Sequence, residues 1–232
     1  MKTRDIFAGI IPVFMAAFLI GCSLAHRPAG KEIPPAGGDV EYEPGKGDAY
    51  LFDAKIIREG KKNSVRLEVY HSRDSLAVFA RGYLGKGVLK AFITSDSVLA
   101  YFPTENQYYS GRIYDLISSR CQDTLIDEKM MIDLFAKTPA EIEYNVNTLY
   151  VVLLDDKGET RSYRLQSKRC PDNIYLQYDY HEERFILQEF SFEADNEAFG
   201  FHSKLRKFRS DVKLPPEKFL IEIPESAVRF TP

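Results

Sequence analysis

Ser64-Val65-Arg66-Leu67-Glu68-Val69-Tyr70-His71 alternates apolar and polar residues, Ser72-Arg73-Asp74-Ser75 follows as a turn, and Leu76-Ala77-Val78-Phe79-Ala80 is an apolar run. A period of two is the signature of a strand with one dry face, and a short polar turn between two such runs predicts a hairpin. The two arms differ. Val65, Leu67 and Val69 leave the opposite face polar, whereas the second arm is apolar on both faces and must meet more than solvent. The same double apolarity recurs in Val98-Leu99-Ala100-Tyr101-Phe102 and in Leu149-Tyr150-Val151-Val152-Leu153-Leu154.

Outward from this hairpin the pattern repeats. Strands are predicted at Tyr50 to Glu59, Ser64 to His71, Leu76 to Gly82, Val88 to Thr94 and Val98 to Pro103. A second series runs over Thr148 to Leu154, Glu159 to Gln166, Ile174 to Tyr180, Arg184 to Phe192, Ala198 to Arg206 and Phe219 to Ile223. Gly60-Lys61-Lys62-Asn63, Gly85-Lys86-Gly87, Ser95-Asp96-Ser97 and Asp155-Asp156-Lys157-Gly158 supply turns. About eleven meandering strands predict a mainly β, α+β domain whose antiparallel sheet curls or closes. The 16 Phe and 14 Tyr, with no Trp, suit pleated surfaces better than helices.

Between the two series lies a helical interlude. Ile126, Met130, Met131, Leu134 and Phe135 fall on one stripe, Asp127 and Glu128 open the segment, Lys137 closes it and Pro139 stops it. A shorter helix is predicted over Gly111 to Ser118, capped by Ser110. Each has one apolar stripe to bury, so both are placed across a face of the sheet. That face is either simply covered, giving a filled core, or it forms an apolar concavity that accepts acyl chains between Val65, Leu67 and Val69 below and Met130, Met131, Leu134 and Phe135 above.

The N-terminus reads differently. Lys2 and Arg4 precede an uncharged stretch, Ile6 to Gly21, which ends in Leu19-Ile20-Gly21-Cys22. The stretch is shorter than the roughly 20 residues of a spanning helix and has the layout of an export signal. Its end resembles the lipobox of bacterial lipoproteins, which implies cleavage of residues 1–21 and acylation of Cys22. Several acyl chains hold a protein on a bilayer far more firmly than one. Ser23 at the second mature position implies, by resemblance to enteric sorting, the outer membrane. From residue 22 to 48, Pro28, Pro34, Pro35 and Pro44 alternate with glycines, a tether of semi-extended chain. Residues 49–232 form one domain. In an oxidising compartment Cys121 and Cys170 form a disulfide, contributing roughly 4 kcal/mol on the chain-entropy model, or remain two separate thiols.

Catalytic chemistry is not visible. His26, His71, His181 and His202 are scattered, and His181-Glu182-Glu183 lacks the second His that zinc hydrolases place four residues on. No phosphate loop, nucleophile elbow or paired-cysteine metal spacing occurs. The 31 Lys and Arg against 34 Asp and Glu give a net charge of -3, which argues against a nucleic-acid binder. No enzyme and no cofactor are expected.

The order of elements, lipobox, tether, five hairpin strands, helical lid and a second series of strands, resembles the LolA/LolB lipoprotein-localisation superfamily. It is nearest to the outer-membrane lipoprotein receptor LolB and related lipidated proteins. The loop Gly82-Tyr83-Leu84-Gly85-Lys86-Gly87-Val88 is similar to the receptor's Pro-Leu-Gly hairpin with its exposed leucine, with Leu84 at the leucine and Tyr83 where the proline stands. Gln107-Tyr108-Tyr109 and Ile126 to Pro139 are similar to its lid region. The resemblance implies a curled antiparallel half-barrel, a monomer that takes the acyl chains of lipoproteins or lipids from a periplasmic carrier and delivers them to the outer membrane, facing the periplasm. Tyr83 and Leu84 would be the membrane-insertion tip. The competing reading is a tethered structural or protein-interaction lipoprotein with a filled core.

Overall fold

The computed structural model describes residues 45–58, 60–113, 115, 126–144, 149–168, 172–193 and 199–231. The lipobox, Cys22 and the tether up to residue 44 lie outside them, as do Cys121 and Cys170. Twelve strands form one curled, unclosed sheet. They are β1 (Lys46–Arg58), β2 (Lys61–Ser72), β3 (Ser75–Arg81), β4 (Gly87–Thr94), β5 (Val98–Phe102), β6 (Gln107–Gly111), β7 (Leu149–Asp156), β8 (Thr160–Ser167), β9 (Asn173–His181), β10 (Arg184–Glu193), β11 (Phe199–Lys213) and β12 (Val228–Arg229). A six-residue helix, α1 (Glu128–Asp133), lies between β6 and β7.

The order across the sheet is β12-β6-β5-β4-β3-β2-β1-β11-β10-β9-β8-β7. Two meanders are thus joined through the long pair β1–β11, antiparallel from Lys46↔Lys213 to Arg58↔Phe199. Among the described residues the only parallel contact is the short β12 along β6. This order places β6 and β7 at opposite margins, so the chain between them has to cross the sheet. The described part of that connection, α1 and the residues that follow it, lies on the concave face.

Several expectations are corrected. Gln107–Gly111 is a strand paired to β5, and Ser110 lies inside it rather than capping a helix; Ile113 and Asp115 are helical, and most of the predicted helix beyond Gly111 falls outside the described residues. The interlude helix is shorter than Ile126 to Lys137 because residues 134–136 leave helical bonding for a turn. Phe219 to Ile223 forms no strand. After a 3₁₀ turn (Pro216–Lys218) that segment lays Phe219 on the convex face, against Phe92 at 5.9 Å and with Leu214 beside Ala77. This explains why β3 is apolar on both faces: Leu76, Val78 and Ala80 join the concave core, while Ala77 and Phe79 meet the C-terminal segment.

Candidate functional site

The concave face is built by alternation. Tyr50, Phe52, Ala54 and Ile56 of β1 and Val65, Leu67 and Val69 of β2 point inward, as do Tyr163 and Leu165 of β8 and Ile174, Leu176 and Tyr178 of β9. Above them lie Met130, Met131, Leu134 and Phe135. All seven of the side chains singled out for a cavity are brought together in one buried cluster. The two layers meet directly where Phe135 packs edge-on to Tyr50 at 5.3 Å and to Phe52 at 6.4 Å. The concavity under α1 is therefore occupied by side chains in this state.

The lid is fastened at both ends by polar groups that the alternation puts inside. At its start, Asp127 caps the helix by accepting from the Met130 backbone N–H at 2.7 Å. Glu128, 1% exposed, accepts from the Ile113 N–H at 2.8 Å and from Arg112 Nε at 2.9 Å. At its end two carbonyls released by the shortened helix take tyrosine hydroxyls. Tyr50 of β1 donates to the Phe135 oxygen at 2.7 Å and Tyr178 of β9 to the Leu134 oxygen at 3.0 Å. Burial pushes both phenols far above their ordinary pKa, so each stays a donor. Beyond the lid, Glu141 accepts from the backbone N–H and hydroxyl of Thr138.

Beside Phe135 sits a buried ionic group that periodicity does not reveal. Arg184 grips Asp48 with two bonds of 2.8 Å, and the His71 ring lies against Phe135 at 6.4 Å with its Nδ1 3.9 Å from Asp48. Burial works against the Asp48 carboxylate, but the contacts from His71 and Arg184 outweigh it and hold its pKa below the usual value. These residues border a polar cleft of about 400 Å³ with Lys46, Arg73, Glu182 and Asp211. The cleft opens at the end of the sheet where the chain enters β1.

Leu84 lies at the other end. It is 80% exposed and sits in the left-handed region at φ 58°, ψ 22°, inside a one-turn 3₁₀ segment (Tyr83–Gly85). The loop is closed by the Gly82 N–H on the Lys86 oxygen at 2.9 Å and the Gly85 N–H on the Gly82 oxygen at 3.1 Å. A left-handed leucine costs roughly 1–2 kcal/mol, a strain that nothing in the core repays. Among the described residues no cluster of His, Cys, Asp and Glu is placed to hold a metal, and no helix is long and apolar enough to cross a membrane.

No family model and no curated protein matches this chain by sequence. Solved structures do. A DUF1329 family protein from Desulfovibrio piger is 12% identical with a TM-score of 0.44, covering 75% of this chain and 89% of that one. An outer-membrane lipoprotein-sorting protein domain from Vibrio parahaemolyticus is 6% identical with a TM-score of 0.41, over 80% and 91%. A LolA superfamily protein from Nitrosomonas europaea is 9% identical with a TM-score of 0.37, over 78% and 92%.

Proposed function

We propose that this protein is a lipid-anchored acyl-chain acceptor: it takes the chains of lipoproteins or lipids beneath α1 and passes them to the outer membrane. One observation carries the reading. A curled sheet, open at its margins, keeps an apolar concave face, and the six-residue helix α1, held by a handful of polar bonds, is laid across it. Displacing so short a lid uncovers a surface suited to an acyl chain, whose transfer through water without shelter costs on the order of ten kcal/mol. Met130 and Met131, unbranched and polarizable, adapt to whatever shape enters. The exposed Leu84 at the far end of the sheet supplies a tip for insertion into the receiving bilayer.

A second reading rests on an equally specific observation: the candidate cavity residues already fill the concavity. On that reading the domain is a tethered structural or interaction module. Mass spectrometry of the protein after mild purification separates the two. Stoichiometric bound lipid or lipoprotein acyl chain supports the acceptor, and lipid-free protein that also fails to take up an acyl probe supports the filled core.

A further inference from the structure

The turns of the sheet alternate between its two ends. One end carries the β2–β3, β4–β5, β7–β8 and β9–β10 turns, with exposed Asp74, Asp96, Asp156, Glu159, Glu182 and Glu183 among them. The other end carries the β1–β2 turn and the Leu84 loop, where Lys61, Lys62 and Lys86 are exposed.

The register places these three lysines around Leu84. Arg66 of β2 stands opposite Arg81, the last residue of β3. Lys62 lies four residues beyond that rung, and at about 3.3 Å per residue it is level with the loop that follows Arg81. Lys61 to Ser64 are exposed on both faces, so the hairpin end stands clear of the body beside Leu84. Lys86 belongs to the Leu84 loop itself. Arg66 and Arg81 are engaged by Asp53 at 3.9 Å and Glu68 at 3.4 Å. Among the described residues Lys61, Lys62 and Lys86 have no ion-pair partner. The acidic groups nearest Leu84 at this end are Glu59 in the β1–β2 turn by sequence and Glu105 in the β5–β6 turn, both of whose carboxyl oxygens are withdrawn from solvent; others, Asp172, exposed Glu193 and by sequence Asp195 and Glu197, belong to the β8–β9 and β10–β11 connections on the far side of β1. In a chain of net charge -3, a basic collar around an exposed leucine runs against the overall balance.

We infer that this end of the sheet docks on an anionic lipid surface, with Lys61, Lys62 and Lys86 on acidic headgroups while Leu84 enters the bilayer. The inference rests on the acceptor reading for the role of Leu84 and adds the class of lipid that receives the tip. Lysines near an anionic leaflet act through charge, so the attraction is screened by salt.

The test uses the full chain carrying Cys22→Ser, so that no acyl anchor contributes, with vesicles of phosphatidylcholine alone or mixed with phosphatidylglycerol. Cosedimentation with the mixed vesicles, weakened by salt, is expected, together with little binding to phosphatidylcholine. Replacing Lys61, Lys62 and Lys86 by Gln, with an unchanged thermal melt, should lower binding to the mixed vesicles on the order of a hundredfold. Equal binding to both vesicle types, undiminished binding by the lysine variant, or no binding to either overturns the inference, the last leaving this end to a protein partner. Leu84→Glu distinguishes the two levels: if it binds mixed vesicles as the parent does while the lysine variant does not, the anionic docking stands and the insertion role of Leu84 falls.

Discussion

The Tyr178 hydroxyl on β9 donates to the Leu134 carbonyl at 3.0 Å, joining the C-terminal half of the sheet to the end of a lid whose other phenol, from Tyr50, comes from β1. Both bonds are buried, and both satisfy carbonyls that the helix leaves unpaired. Tyr178→Phe should therefore cost on the order of 1–2 kcal/mol in denaturant unfolding, the loss expected when a buried carbonyl is left without its donor. If α1 is a lid, the same variant should take up a fluorescent fatty acid faster than the parent. Unchanged uptake kinetics with the expected loss of stability would make these tyrosines part of a static core.

Leu134 tests the floor of the same question. Leu134→Glu places a carboxylate in the apolar cluster beside Phe135 and should abolish acyl-probe binding in stopped-flow fluorescence. Since the charge costs stability in either reading, Leu134→Met serves as the folded comparison, a near volume-conserving change that should cost less than about 1.5 kcal/mol and keep binding.

Much of this architecture was legible, for identifiable reasons. Val65, Leu67 and Val69 alternate with charged or aromatic neighbours, and the β2–β3 turn closes on Ser72↔Ser75 where the polar residues stand. Gln107–Gly111 was not legible because its pattern is polar and aromatic without clean alternation; it is a strand because β5 needs a neighbour. Phe219-Leu220-Ile221-Glu222-Ile223 reads as a strand, yet what holds it is a ring-on-ring contact with Phe92, a tertiary fact. Tyr50 and Tyr178 fall on dry faces by spacing alone, but which carbonyls they seek depends on where the crossing chain ends its helix. The Asp48–Arg184 pair joins residues 136 positions apart, beyond any local signal.

Glu105 gives a pH signature. Burial pushes its carboxyl up to about 7 from the ordinary 4.5. A folded pKa above the unfolded one means that the stability associated with the neutral form is complete below 4.5 and is lost as pH rises through about 7. Glu105→Gln should raise the melting temperature at about pH 8, by the equivalent of about 1 kcal/mol once its partial exposure is discounted, and leave it nearly unchanged at about pH 4. An equal shift at both pH values would show that the effect is not the charge.

Breaking the Asp48–Arg184 pair should be costly because the aspartate is buried and the arginine only partly so. Arg184→Ala strands the buried Asp48 charge beside His71 and is expected to cost about 2–3 kcal/mol in urea unfolding. The Asp48→Asn, Arg184→Ala double variant should recover part of that loss. No recovery would mean that Arg184 acts through its stacking on Phe208, 5.3 Å away, rather than through charge.

Acylation of Cys22 is checked by mass. The mature protein should begin at Cys22 and carry lipid, and Cys22→Ser should carry none. Free-thiol labelling of the unreduced, denatured protein reads the other two cysteines, a Cys121–Cys170 bridge leaving none to label. Both thiols reacting would remove the bridge.

Leu84 offers a separation of function from stability that few positions allow. Its left-handed backbone is strained for leucine and free for glycine, so Leu84→Gly should fold at least as well as the parent and gain up to about 1 kcal/mol. A residue kept only for structure would then be improved by the change. If Leu84 enters the receiving membrane, Leu84→Gly should retain acyl-probe binding, because the loop lies outside the lid cluster, yet transfer its cargo to liposomes more slowly than the parent. Leu84→Phe, apolar but bulkier, should restore transfer at some cost in stability. Parent-like delivery by Leu84→Gly would show that the strained leucine has no part in handing lipid over.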